Sequence, residues 1–186
     1  MVLARVDQTT ELKVLSEPDA PIFYDVLQAN REHLGQWFDF AEHLQSMEEV
    51  VAFLRRTEER HTRRNGFWCG VWQSGNLIGA VGVANFDGDN RSLELAYWLA
   101  SNHTGKGIAT RACSAMIDYL FKEYGVNRVG IRCAAENQRS AALASRLGFR
   151  MEGLLRQAER FDGRFRDVAV YGLLAEEWCA RRGKTA

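Results

Sequence analysis

Alternating apolar and polar side chains predict about seven strands along the chain. The clearest alternation runs through residues 11–15, where ELKVL has the pattern of a half-buried strand. One hairpin is predicted around Ser74-Gly75-Asn76, and a second turns near Asp162-Gly163. The predicted strands cover residues 11–15, 67–72, 77–86, 92–99, 128–134, 149–157 and 166–174.

Helical spacing of apolar residues separates most of these strands. Ser46 and Glu49 form a capping box that begins one helix. Asn137 is a preferred N-cap, and Gly125 and Gly148 are natural helix ends. The predicted helices are two short stretches within residues 19–40, followed by residues 47–64, 108–124 and 138–147. The order β-α-α-(α)-β-β-β-α-β-α-β-β indicates an α/β (α+β) fold.

The composition indicates a single domain over residues 1–186, with a core of about residues 11–175. The chain has 186 residues, 46% of them hydrophobic, which is enough for a core that needs no disulfides. Lys and Arg total 24, as do Asp and Glu, so no basic field favours nucleic acid. Scattered cysteines, histidines without metal-ligand spacing and the lack of a long apolar run predict a cytoplasmic protein with neither metal nor membrane segment. The tail from Arg181 to Lys184 is expected to fray.

The predicted strand over residues 92–99 has two different faces. Strand alternation assigns one face to Glu94, Ala96 and Trp98, and the other to Leu95, Tyr97 and Leu99. Side chains such as Tyr97 and Trp98 more often pack in a core than contact a ligand.

The segment from Asn102 to Thr110 carries the most specific chemistry in the sequence. It joins a predicted strand to a predicted helix, so its backbone N–H groups and the helix macrodipole favour a phosphate or pyrophosphate. It lacks the nucleotide-triphosphate P-loop pattern, and Thr110 stands where a dinucleotide motif has its third glycine. The candidate phosphate-binding residues are Thr104, Gly105, Lys106, Gly107, Ile108, Ala109 and Thr110.

This loop resembles the acyl-CoA pyrophosphate loop of the GNAT N-acetyltransferases, [Gln/Arg]-x-x-Gly-x-[Gly/Ala]. It matches that pattern at Gly107 and Ala109 and departs from it at Thr104, where a long polar side chain is usual. Four further blocks resemble the same family, and two of them, residues 31–37 and 157–159, suit its RimJ/RimL branch. The other two blocks are residues 95–99 and residues 136–149.

The resemblance implies the GNAT fold and acetyl-CoA as co-substrate. In that fold a central, mostly antiparallel mixed sheet is flanked by helices, and two central parallel strands splay apart to admit the pantetheine arm. The resemblance assigns contacts with that arm to Asn137 and to the strand backbone at Tyr97, Trp98 and Leu99. Asn137 is also expected to cap its helix, and both jobs can coexist.

The resemblance further implies roles in acetyl transfer, each with a structural alternative. Ser140 would protonate the departing sulfur, or be an ordinary first-turn serine. Glu159 would take the amine proton through water, or be a surface glutamate beside Arg160. Glu94 is the other candidate base, or a cross-strand ion partner. The acceptor pocket would be lined by aromatic side chains that could equally belong to the core: Trp37, Phe38 and Phe40.

The favoured acceptor is the N-terminal α-amine of a ribosomal protein, attacked without an acyl-enzyme. Such an amine titrates near pH 8, so about a tenth of it is neutral at pH 7. It therefore needs a weaker general base than a lysine side chain would need as the acceptor. Two alternatives stay open: the same chemistry on a polyamine, an amino-acid-like toxin or an antibiotic, and a non-catalytic acyl-CoA-binding module. By analogy with the branch, a homodimer is possible.

Overall fold

The strands among the described residues form one eight-stranded sheet. The computed structural model describes residues 1–39 and 43–183, so the predicted pocket residue Phe40 lies outside the described residues. Every neighbouring pair in the sheet is antiparallel except β5 and β6, and the order is β1-β2-β3-β4-β5-β6-β8-β7. The strands are β1 Val2–Arg5, β2 Thr10–Val14, β3 Trp68–Gln73, β4 Asn76–Asp87, β5 Ser92–Leu99, β6 Arg128–Ala134, β7 Arg150–Phe161 and β8 Arg164–Leu174.

The first strand is the one that the hydrophobic pattern did not predict. It has only four residues, too few to show a period, and it pairs antiparallel with β2. Asp7 shapes the intervening turn, because its carboxylate accepts from the backbone N–H groups of Thr9 and Thr10, both at 2.9 Å. The last hairpin is also longer than expected, with strands of 12 and 11 residues.

Helices cover both faces of the sheet. They are α1 Ala20–Ala29, α2 Arg31–Gly35, α3 Met47–Thr62, α4 Ile108–Tyr119, α5 Gln138–Leu147 and α6 Ala175–Gly183. A single π-turn, Leu120–Tyr124, extends α4. One core lies between the sheet and α4 and α5, and a second core lies between the sheet and α1 and α3. The predicted alternation in β5 is confirmed, because Leu95 and Leu99 belong to the first core and Trp98 to the second.

Local capping signals explain where several helices begin and end. Ser46 and Glu49 form the predicted capping box at the start of α3. Gly125 and Gly148 both adopt left-handed backbone conformations just after helical segments, as their sequence positions predict. The expectation of a frayed tail is wrong up to Gly183, since α6 is helical and Trp178 is buried in the first core. Lys184 lies outside the described residues.

The sheet opens between its two central strands. β5 and β6 pair in parallel register only from Ser92 opposite Arg128 to Glu94 opposite Gly130. β5 continues to Leu99 and β6 to Ala134, but no further pairing joins them. The backbone of β5 that faces β6 beyond Glu94 therefore has no strand partner. This is the splay that the resemblance implied.

Candidate active site

A cleft of about 920 Å³ passes through the opening between β5 and β6. Both faces of β5 line it, since Tyr97 and Leu99 project to one side and Glu94 and Trp98 to the other. On the first side it is bounded by the Gly-rich loop and α5, which we call the donor half. On the second side it is bounded by α2, the segment after it and the β7–β8 hairpin, which we call the acceptor half. The two halves meet at the splay.

The Gly-rich loop leaves its backbone N–H groups available to an anion. Gly105 and Gly107 have φ angles of 76° and 72°, a conformation that side chains rarely adopt, and Gly107 is the N-cap of α4. The Thr104 hydroxyl donates to the Ser101 carbonyl at 2.8 Å. The Lys106 ammonium donates to the Asn102 carbonyl at 2.8 Å, and Lys106 does not line the cleft. The loop therefore presents amides and the start of a helix rather than charged side chains.

Positive charge in the donor half comes from α5 instead. Arg139 and Arg146 both line the cleft, and the Gly-rich loop and α5 contribute no carboxylate to its lining. A polyanion that bound the loop amides would therefore also face two guanidinium groups. No local motif marks these arginines, because their place on the cleft depends on how α5 packs. The donor half suits the phosphates of coenzyme A.

Asn137 and Ser140 lie where α5 begins beside the splay. The Asn137 side chain caps the helix by accepting from the Ser140 backbone N–H at 3.1 Å. The Ser140 side chain is buried, and its hydroxyl accepts a hydrogen bond from the Tyr97 hydroxyl at 2.9 Å. Burial raises the pKa of Tyr97, so the phenol stays protonated at neutral pH. Tyr97 therefore packs against the first core, as predicted for an aromatic residue on this strand, and also hydrogen-bonds Ser140 at the cleft.

Cys133 places a thiol on the cleft, and no sequence motif singles it out. It lies on β6 and lines the opening together with Ser140. Burial raises the pKa of the Cys133 thiol, and a hydrogen bond with Ser140 opposes that rise. The thiol is therefore a weaker nucleophile at neutral pH than a free cysteine. Cys113, by contrast, is fully buried packing within the first core.

A β-bulge turns Glu159 into the acceptor half. The β7–β8 register shifts between Leu155 and Glu159, and Gln157 within the bulge has φ 49°. Asp167 pins this conformation by accepting from the Gln157 backbone N–H at 2.8 Å. Glu159 then lines the cleft and forms an ion pair with Arg166, with 2.6 Å between Oε2 and Nε. Arg166, which lies opposite Glu159 in the β7–β8 ladder, is therefore its ion-pair partner.

Glu94 faces the cleft and forms the predicted cross-strand ion pair. It lines the cleft from the floor of the splay, where β5 and β6 stop pairing. One carboxylate oxygen accepts from the Asn85 side-chain amide at 2.7 Å, and the other lies 3.8 Å from an Arg132 guanidinium nitrogen. Glu94 is therefore a cross-strand ion partner that also faces the cleft.

Trp37 and Phe38 form an aromatic wall of the acceptor half. Phe38 also packs against the second core, so the pocket and core interpretations both apply to it. The Trp37 carbonyl accepts from Arg166 at 3.1 Å, which joins this wall to β8.

The described residues contain no candidate metal site and no candidate membrane-spanning helix. Within residues 1–39 and 43–183, no group of three His, Cys, Asp or Glu side chains is placed to hold a metal ion. Over that same part of the chain, no helix is both long and apolar enough to cross a bilayer.

Comparison with known proteins connects this geometry to a family. Residues 10–150 match the acetyltransferase (GNAT) domain. YdaF of Bacillus subtilis, whose provisional name is ribosomal N-acetyltransferase, is 34% identical over 96% of this chain and 98% of its own. The ribosomal-protein-serine acetyltransferase of Escherichia coli is 27% identical over 92% of this chain and 96% of its own. A spermidine N(1)-acetyltransferase of Vibrio cholerae is also 27% identical, over 91% of this chain and 95% of its own.

Solved structures show the same fold. RimL, a ribosomal L7/L12 alpha-N-protein acetyltransferase solved in complex with coenzyme A, superposes with a TM-score of 0.91. The match covers 95% of this chain and 99% of RimL, at 24% sequence identity. The open sheet with one parallel pair, the Gly-rich loop before α4 and the family match agree with one another. The chain therefore belongs to the GNAT family of acetyl-CoA-dependent N-acetyltransferases, with ribosomal-protein acetyltransferases among its relatives.

Proposed function

We propose that this enzyme acetylates the N-terminal α-amine of a ribosomal protein by direct attack of the amine on the thioester. The observation that carries the proposal is the continuous cleft through the splay, which brings Ser140 and Glu159 to opposite halves of one site. The ribosomal-protein acetyltransferases among the relatives support the acceptor class.

The donor half holds and orients the acetyl donor. Acetyl-CoA supplies an activated acetyl group as a thioester. The loop amides from Gly105 to Ala109, with Arg139 and Arg146, would hold its phosphates. The unpaired backbone of β5 at Tyr97–Leu99 would hydrogen-bond the extended pantetheine arm, as a strand partner would. Fixing the thioester between two strands supplies the orientation that an amine needs for attack.

Ser140 is placed to return a proton to the leaving sulfur. When the amine nitrogen bonds to the carbonyl carbon, the carbon–sulfur bond breaks and the thiolate needs a proton. The Tyr97 hydroxyl donates to Ser140, so the Ser140 proton is not used in that hydrogen bond and would be given to the sulfur. As the Ser140 proton moves to the sulfur, the Tyr97 hydrogen bond would stabilise the serine oxygen, which regains a proton from water when the products leave.

Glu159 is the carboxylate that we assign to the amine proton, through one water molecule. It lies in the acceptor half, and 45% of its side chain is exposed, so water and substrate can reach it. Glu94 is less exposed, at 30% of its side chain, and contacts both Asn85 and Arg132, so we assign it to shaping the floor of the splay. A modest base is sufficient because part of an α-amine population is already neutral at pH 7.

The charge balance of the acceptor half favours a peptide α-amine over a polyamine. Among the described residues that line it, the two carboxylates of Glu94 and Glu159 are matched by the guanidinium groups of Arg132 and Arg166. A polyamine carries several positive charges and would be expected to face a surplus of carboxylates. A peptide N-terminus brings a single charge, which suits a balanced pocket. Trp37 and Phe38 would then contact the first side chains of the peptide.

The spermidine acetyltransferase among the relatives keeps a small amine as the second candidate acceptor. A thiol-release assay decides between them, with acetyl-CoA and either ribosomal-protein N-terminal peptides or a panel of polyamines, amino-acid analogues and aminated antibiotics. Peptide turnover alone supports the proposal, and small-amine turnover alone supports the second candidate. Binding of acetyl-CoA with no turnover of either set would indicate a non-catalytic acyl-CoA-binding module. A ribosomal-protein acceptor would also support the expected cytoplasmic location.

We further propose that a second copy of the chain covers the β7 edge of the sheet. β7 is the last strand in the sheet order and is exposed along nearly all its length. Met151, Leu154 and Leu155 are apolar and exposed on it. Edge strands with exposed apolar side chains are prone to pair with another chain. Sedimentation velocity should show a dimer for the native protein and a monomer for Leu154→Asp; a native monomer would contradict this.

A further inference from the structure

Arg166 connects the β7–β8 hairpin to the segment after α2 in the acceptor half. It lies on β8, and only 12% of its side chain is exposed. Its Nε lies 2.6 Å from the Glu159 carboxylate, and its Nη2 donates to the Trp37 carbonyl at 3.1 Å. The guanidinium also lies over the Phe161 ring, 3.8 Å from its centroid.

These contacts differ from those of an ordinary surface ion pair. A largely buried guanidinium must have its donors satisfied, so its geometry is more strongly determined than that of an exposed side chain. Glu159 lies directly opposite Arg166 in the β7–β8 ladder, and the bulge at Gln157 sets that register. Stacking on Phe161 fixes the plane of the guanidinium, which in turn fixes the direction of both donors.

The contact with Trp37 spans 129 positions of sequence. It links Trp37, in the aromatic wall just after α2, to β8. β8 pairs with β7, the strand that carries Glu159. The wall and the candidate base would contact different parts of an acceptor. Arg166 contacts both the wall, at Trp37, and the base, at Glu159.

We propose that Arg166 is a positioning residue for the acceptor half: it orients the Glu159 carboxylate and holds the Trp37 wall in place. The proposal deepens the proposed function and rests on it for the role of Glu159. The role in holding the wall does not depend on the identity of the acceptor. Lysine cannot replace arginine here, because an ammonium has no planar fork to serve two acceptors while stacking on a ring.

Hydrogen–deuterium exchange tests the wall without any acceptor. Arg166→Gln should accelerate amide exchange in a peptide covering residues 30–39 by at least about 10-fold, because the tether at the Trp37 carbonyl is lost. Glu159→Gln and the matched control Arg164→Gln, an exposed arginine on the same strand, should leave that peptide unchanged. Calorimetry with coenzyme A should give the same Kd for all three variants, which also shows that they are folded. Unchanged exchange in Arg166→Gln, or a matching change in Arg164→Gln, would overturn the proposal.

Kinetics test the orientation of Glu159, using whichever acceptor the thiol-release assay identifies. Arg166→Gln and Arg166→Lys should each lower kcat by roughly 10-fold, less than loss of the base itself would. Both should raise the acceptor KM and leave the acetyl-CoA KM unaltered. When Glu159 is already glutamine, the Arg166 substitutions should no longer lower kcat, because there is no base for Arg166 to orient. They should still raise the acceptor KM, because the Trp37 wall is still released. An undiminished kcat effect in that background would overturn the role through Glu159. If no acceptor is turned over, the proposed function fails, and the exchange experiment alone decides the role of Arg166.

Discussion

The Tyr97 hydroxyl, on β5, donates a 2.9 Å hydrogen bond to the Ser140 hydroxyl, on α5. Tyr97 projects from the face of β5 that packs on the first core, and Ser140 lies in the first turn of α5. The pair therefore joins the strand expected to bind the pantetheine arm to the residue expected to protonate the sulfur. Because burial keeps Tyr97 protonated, its hydroxyl has a proton to donate in this hydrogen bond.

Replacing Ser140 tests the proton-donor role. Ser140→Ala should lower kcat by about 10–100-fold, within or just below the usual range for proton transfer, with little change in acetyl-CoA affinity. Tyr97→Phe should give a smaller loss, since Ser140 keeps its own proton. Ser145→Ala changes an exposed serine on the same helix and serves as the control. Full activity of Ser140→Ala in a steady-state thiol-release assay would show that Ser140 only packs.

The two cleft carboxylates can be separated by their pH–rate profiles. Glu159→Gln should change the acidic limb of kcat/KM, leaving only the part that titration of the acceptor amine itself imposes. Glu94→Gln should keep that limb and lower activity through the altered floor of the splay. An unaltered profile for Glu159→Gln, together with an altered one for Glu94→Gln, would move the base to Glu94.

Cys133 provides a test of direct transfer. Its raised pKa means that less thiolate is present at pH 7–8 than for a free cysteine, and the thiolate fraction grows only as the pH rises toward that pKa. Cys133→Ala should therefore retain kcat within about 3-fold, well short of the loss expected for a residue that takes part in the proton transfers. Intact-protein mass spectrometry after mixing with acetyl-CoA should show no added acetyl group. An acetylated intermediate that disappears in Cys133→Ala would contradict direct attack.

The donor half owes its positive charge to α5, and this can be measured by binding. Arg139→Gln and Arg146→Gln should each weaken coenzyme A binding by roughly 5–50-fold, the loss expected for one charge-assisted contact. Raising the salt concentration should weaken native binding more than variant binding, because a charged contact has been removed. Arg156→Gln, an exposed arginine on β7, is the matched control. Equal affinity for the native protein and both α5 variants would exclude these arginines from the phosphate site.

Patterns that depend on neighbouring residues were enough to predict most of the fold. Strand alternation, the capping box at Ser46 and the glycines after helices all depend on local backbone geometry. The short strand Val2–Arg5 escaped prediction because four residues show no reliable period. The helix over Ala175–Gly183 is not predicted by local patterns because it depends on tertiary contacts. These include a hydrogen bond from Trp178 to Asp118 and an ion pair between Arg182 and Asp118.

The site was predicted unevenly for the same reason. The Gly-rich loop and Asn137 were found from local motifs, whereas Glu159 and Ser140 came from the family resemblance. Arg166 was not found at all. Its importance depends on the bulge at Gln157, a ring at Phe161 and a carbonyl 129 positions away, which only the assembled fold brings together.

The central claim is that the backbone amides around Gly107 bind the diphosphate of coenzyme A. Calorimetry with coenzyme A on three proteins tests it: the native chain, Gly107→Asn and Gly107→Glu. Asparagine tolerates the left-handed backbone at this position and adds no charge, so it controls for backbone strain. We predict measurable binding for the native chain and Gly107→Asn, and none for Gly107→Glu, whose carboxylate would occupy the anion site. Binding of the same affinity in Gly107→Glu would contradict the assignment.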